Sequence, residues 1–167
     1  MMVEQEYFLY AGFIGIGATL VMDLYAMFLK RAFDVPSLNY AMVGRWIGHL
    51  AKGQVTHDTI TTASPVSGET AIGWCAHYAI GIVFAGGLLA IWGIEWAHRP
   101  TLFPALIVGM VTVAAPFFIL QPGMGAGIAA SRTPEPDIAR RRSVVAHLSF
   151  GMGLYLSALV LSILIQP

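Results

Sequence analysis

The sequence is poor in charge. Only 11% of its 167 residues are Asp, Glu, Lys or Arg, against about 25% in ordinary soluble domains, and a mean hydropathy of +0.71 completes the exclusion of a soluble globule. Neither sign is in surplus: Lys and Arg total 9, and Asp and Glu total 9. No basic excess exists to displace counterions from a phosphate backbone, which argues against nucleic acid as a partner. Cysteine is nearly missing. Cys75 stands alone without a CxxC partner, so neither a disulfide framework nor a thiolate metal cage is available, and it reads as a small packing residue. What the chain has instead is apolar: 57% of it is hydrophobic.

That apolar content is gathered in four stretches, at about 7–29, 70–94, 101–120 and 143–165. Each meets the roughly 20 residues needed to cross a bilayer. Backbone groups cannot go unpaired in lipid, so continuous runs of this length are expected as helices. The expected fold is an all-α integral membrane protein: a single membrane domain, 1–167, forming a four-transmembrane-helix bundle. No Lys or Arg precedes the first stretch and no small-residue cleavage site follows it, which argues against a removed signal peptide. Lys30, Arg31, Arg45 and Lys52 fall in the first long connection, and Arg132, Arg140, Arg141 and Arg142 in the second. By the positive-inside rule both connections are expected in the cytoplasm and both termini outside. The short connection around Glu95–Pro100 makes spans two and three neighbours.

The first connection contains an expected amphipathic helix, about 38–52, with Ser37 as N-cap and Gly53 as its stop. Met42, Val43, Trp46, Ile47 and Leu50 make one face, and Arg45, His49 and Lys52 share another, so it reads as an interfacial helix on the inner leaflet. The second connection opens with Gln121-Pro122-Gly123-Met124-Gly125-Ala126-Gly127. No strand precedes this run and no GK[ST] follows it, which argues against a nucleotide cradle. Pro122 is expected to end or kink the third span, with the glycines packing as a re-entrant or interfacial turn.

Ala76-His77-Tyr78-Ala79-Ile80-Gly81 and Ala146-His147-Leu148-Ser149-Phe150-Gly151 share the pattern AHxxxG in two spans of the same direction. The pattern points to two parallel two-helix repeats. At a rise of about 1.5 Å per residue, His77, His147 and Asp23 lie ~12, ~7.5 and ~10 Å from the cytoplasmic boundary. Ionisable groups at one depth in three spans are expected to face inward, each beside small residues: Gly15 and Thr19, Gly73 and Gly81, Gly151 and Tyr155. Asp23, His77, His147 and Glu69 are therefore the candidate ligand or proton-relay residues, with Arg45, His49, Trp74, Tyr78 and Gln121 at the mouth of an inward-opening pocket. His49 and His57 either reach over this pocket or stay solvated in the connection, the latter being the plainer reading.

Pro36-Ser37-Leu38-Asn39-Tyr40, Gly44-Arg45-Trp46, Gly48-His49, Gly68-Glu69, Gly73-Trp74, His77-Tyr78, Gln121-Pro122-Gly123 and Ser131-Arg132-Thr133-Pro134 resemble a family of small bacterial inner-membrane proteins classed as a domain of unknown function. The resemblance runs over nearly the whole chain and implies four spans and the cytoplasmic membrane. It brings no activity, ligand or catalytic residue.

Three chemistries fit the Asp23, His77 and His147 layer. A carboxylate and neutral imidazoles suit a divalent transition metal, with Glu69 or His49 completing its shell. Two histidines facing across a bundle suit a haem b and electron transfer. Ionisable groups that perturb one another also suit proton binding or movement. An enzyme using Tyr78, His77, Glu69 and Arg45 as an acid–base set on an amphiphilic substrate is a separate class, as is a structural or accessory membrane protein whose Asp23 fixes helix register. Membrane lipid is the expected environment, and a homodimer is the expected assembly, since the chain's 18 glycines permit close helix contacts.

Overall fold

The computed structural model describes residues 2–165; Met1, Gln166 and Pro167, and with them the two chain ends whose sidedness the charge pattern addresses, lie outside the described residues. Among the described residues there is no strand. Helices α1 (Met2–Phe33), α2 (Tyr40–Leu50), α3 (Glu69–Trp92), α4 (Glu95–His98), α5 (Leu102–Thr112), α6 (Gln121–Gly123) and α7 (Pro136–Ile165) follow in order. Four segments are long and apolar enough to cross a membrane: Glu4–Phe33, Glu69–Trp92, Leu102–Gly123 and Pro136–Ile165. Their exposed positions are apolar, as Phe8, Leu20, Val83, Phe103, Val111 and Ile163 show, and such faces meet acyl chains rather than water. The protein is an all-α integral membrane bundle with four candidate spans.

The chain divides into two compact units. The first comprises the residues up to Pro36, Tyr78–Thr112, and those from Ala146 onward. Its core is built from Ile14, Ala18, Leu88, Leu89, Val108, Phe150 and Leu154, with Trp96 and Ala97 of the short turn helix α4. Small residues let its helices approach backbone to backbone. A Cβ on Gly15 would stand 2.5 Å from the Ile82 backbone, joining α1 to α3. One on Gly109 would stand 2.8 Å from Gly151, joining α5 to α7. The glycines of the two AHxxxG copies thus sit at corresponding crossings. In each, a threonine of the facing helix donates to a glycine carbonyl of its own helix: Thr19 to Gly15 and Thr112 to Gly109, both at 2.8 Å.

The second unit comprises Ser37–His77 and Val113–Val145. Helix α2 starts from Asn39, not Ser37: the Asn39 side chain accepts from the Ala41 N–H at 3.0 Å, as an N-cap does. It ends at Leu50, with Gly53 at φ 82° just beyond. Its buried residues are Val43, Gly44, Arg45 and His49, so Arg45 and His49 turn inward, contrary to the face assignment made from sequence, while Lys52, beyond the helix end, stays exposed. Gly44 abuts the Glu69 carbonyl and Gly73 the Tyr40 carbonyl, which seats α2 directly on the first turns of α3.

The third span is interrupted at Pro116. Pro116 has no N–H for the helical bond, and the wide turn Pro116–Leu120 follows, in which Gln121 N–H reaches five residues back to the Pro116 carbonyl. Helix continues through Pro122 to Gly123. It closes with Ala126 N–H donating to Gln121 O at 2.8 Å and Gly125 N–H to Pro122 O at 3.2 Å. Gly125, at φ 95°, supplies the left-handed residue this Schellman closure requires.

Candidate functional site

The three polar residues of the spans each have a hydroxyl partner within their own unit. Asp23 Oδ2 accepts from the Tyr78 hydroxyl at 3.0 Å. His147 Nδ1 lies 2.9 Å from Thr112 Oγ1. That hydroxyl already donates to Gly109, so His147 is the donor in this bond. His77 Nε2 lies 2.9 Å from the Tyr40 hydroxyl, with the Tyr40 ring centroid 4.3 Å from both Trp74 and His77. Asp23, His77 and His147 are all half-buried. Tyr40 was not among the sequence candidates. Its signal was its position at the start of an amphipathic helix four residues before Gly44, which brings its ring to the first turns of α3.

The second unit holds the densest polar cluster, around Arg45. Its guanidinium meets Glu69 in a two-point pair: Nε to Oε2 and Nη2 to Oε1, each at 2.8 Å. Nη1 is directed at the carbonyls of Ala63 at 3.1 Å, Thr61 at 3.3 Å and Ile60 at 3.5 Å. Glu69 also accepts the Val66 N–H at 3.1 Å, as the acid of a capping box does. Such a planar fork suits arginine and no other side chain. The hydrogen bond to Glu69 holds Arg45 charged, its pKa raised further above an already high ordinary value. Both partners are engaged in this tie, which joins α2 to the first turn of α3.

One turn along α2, His49 meets His57. They are 6% and 8% exposed, so the plainer reading of both as solvated is corrected. His49 Nδ1 and His57 Nε2 approach to 2.7 Å. The outer nitrogens face carbonyl oxygens: His49 Nε2 is 3.0 Å from Ser64 O, and His57 Nδ1 is 3.1 Å from Gly123 O. A carbonyl oxygen only accepts, so both outer nitrogens carry protons. Two neutral rings would then set lone pair against lone pair at 2.7 Å. A hydrogen bond there needs a third proton between them.

Trp46 Nε1 donates to Val55 O at 2.8 Å, and its indole lies against Gly123. Gln121 Nε2 reaches the Ser143 hydroxyl at 3.2 Å, while its Oε1 is buried without a hydrogen-bond partner. The mouth residues Arg45, His49, Trp74 and Gln121 belong to this unit and Tyr78 to the first.

Among the described residues no group of three or more His, Cys, Asp or Glu side chains is disposed to hold a metal ion. The metal reading of Asp23, His77 and His147 therefore gains no support. The Tyr40 hydroxyl occupies His77 Nε2, the nitrogen a haem iron would ordinarily take.

No solved structure and no curated protein matches the chain. A family model does match, over residues 13–161. The chain belongs to the family described as "Protein of unknown function (DUF2938)".

Proposed function

We propose that this membrane protein binds and moves protons, with Asp23, His77 and His147 as relay residues of the spans and His49 and His57 as a proton-holding pair in the first connection. The observation that carries the reading is the 2.7 Å approach of His49 Nδ1 to His57 Nε2 while both outer nitrogens donate to carbonyls. The hydrogen-bond inventory of the pair calls for three protons on four ring nitrogens. A surplus proton on two imidazoles is the unit that a relay loads and unloads.

Within the spans, Asp23, His77 and His147 are each bonded to a hydroxyl, which both donates and accepts and so passes a proton on by reorienting. Intramembrane ionisable residues are expensive, and proton pathways are among their recurrent uses. In this reading the two long, arginine-bearing connections face the cytoplasm of a bacterial cell and the inner membrane is the site of action.

Proteoliposomes loaded with a pH-sensitive dye and driven by a potassium diffusion potential test the proposal. The expected result is proton flux above that of protein-free vesicles, reduced to that background by Asp23→Asn and by His49→Gln. Wild-type vesicles indistinguishable from protein-free ones would overturn it, as would undiminished flux in both variants.

A further inference from the structure

Residues 54–58 and the Gly-rich loop after α6 flank an open cavity of about 560 Å³, a size proper to small-molecule sites. Gln54, Thr56, His57, Asp58, Ser131 and Arg132 give it a mainly polar lining, so its occupant is a polar solute and not an acyl chain. The two walls are tied together. His57 N–H donates to Gly123 O at 3.0 Å and Ile60 N–H to Met124 O at 3.1 Å, while Gly125 presses on the Asp58 carbonyl, where a Cβ has no room.

The loop wall stores strain. Ala129 and Ala130 stand at φ 48° and 59°, a left-handed conformation that alanine rarely adopts because its Cβ crowds the carbonyl oxygen. Arg140 Nε donates to Ala129 O, Thr133 Oγ1 to Ala130 O and Arg132 N–H to Ala126 O, all at 2.8 Å. These bonds hold the strained pair in place immediately before Ser131 and Arg132. Strain that is held in this way recurs at ligand sites.

Charge names the ligand. Among the lining residues Arg132 and Asp58 offset one another, and Arg45 is matched by Glu69. On the proposed proton reading, a third proton shared by His49 and His57 adds one positive charge beside this wall.

We propose that this cavity binds a small solute carrying an oxyanion of the phosphate type, with the Arg132 guanidinium as its bidentate partner and the protonated histidine pair as its second positive charge. The inference deepens the proton reading by naming the solute class. It rests on that reading for its pH dependence alone. The charged groups around the pair and the cavity are Arg45 on α2, Glu69 on α3, Asp58 in the connection and Arg132 in the loop; Glu69 is matched by Arg45, and among the described lining residues Asp58 is the acidic group that opposes a bound anion.

The test is calorimetric titration of the full-length protein in phosphatidylcholine nanodiscs with inorganic phosphate at fixed ionic strength, followed also through the amide resonances of Ser131 and Arg132. Saturable binding is expected, weakened about tenfold or more by Arg132→Gln, or about 1.4 kcal/mol. Asp58→Asn should tighten it, and rising pH should weaken it. Arg132 is exposed, so its replacement spares the fold.

Arg132-dependent shifts that appear only when the nanodiscs contain phosphatidylglycerol would support the same oxyanion chemistry with a lipid headgroup as its source. Absence of saturable binding in both kinds of disc would overturn the proposal, as would a variant that binds as tightly as the wild type. Arg132-dependent binding that ignores pH would uphold the cavity and refute the proton reading, which separates the two failures.

Discussion

At the scale of single residues, the polar groups sort into those that tie the fold and those to which the proton reading assigns a role. Arg45 belongs to the first kind. It joins α2, the carbonyls of 60–63 and Glu69 in one cluster, and removing one partner leaves the other with unmet hydrogen bonds. Arg45→Gln should lower the melting temperature in detergent well beyond the change from Lys52→Gln, an exposed control; thermal unfolding followed by circular dichroism checks this. Equal small shifts in both would contradict the role.

The sequence marked Asp23, His77 and His147 because charge is conspicuous in an apolar run. It did not reveal their hydroxyl partners, since Tyr78 lies 55 positions from Asp23 and Thr112 lies 35 from His147, and no periodicity connects such distances. His57 was illegible for the same reason. A histidine in a polar connection reads as solvated until the chain folds it back onto His49.

Among the elements, the four spans were legible because bilayer thickness sets a length that composition alone displays. Their ends were less so: the fourth begins at Pro136, where proline suits the first helical position, ahead of the apolar run used to find it. The third span ends at Gly123, one residue past Pro122, where an end or a kink was expected, and a further interruption lies at Pro116. Both prolines carry the same local signal, and the wide turn after the first absorbs the lost bond before the second is reached. Helix α2 was visible by its period, yet its buried face was not, because amphipathic sorting turns polar residues outward by default.

The helix crossings give a paired prediction. Gly109→Ala sets a Cβ 2.6 Å from the His147 carbonyl and should cost about 1–3 kcal/mol of stability by overpacking. Gly87→Ala, with nothing within 4 Å of the added Cβ, should be neutral. Chemical unfolding in mixed micelles separates the two, and equal effects would refute close packing at the α5–α7 crossing.

For the whole molecule, few charges and four apolar helices establish a membrane protein, and the proposed chemistry rests on its polar connections. On the proposed orientation, the Lys- and Arg-bearing connections face the cytoplasm. A phosphatase reporter, active only outside, should therefore be silent when fused after Lys52 and active when fused after Arg99. The opposite pattern would invert the orientation.

The proton reading is tested most directly by nuclear magnetic resonance of the protein with ¹⁵N-labelled histidine. The expected spectrum has a coupling across the hydrogen bond between His49 Nδ1 and His57 Nε2, and a single proton released in one step that both rings report, with His57→Gln abolishing the coupling and altering the titration of His49. Two rings that titrate independently, with no coupling between them at any pH, would contradict the account.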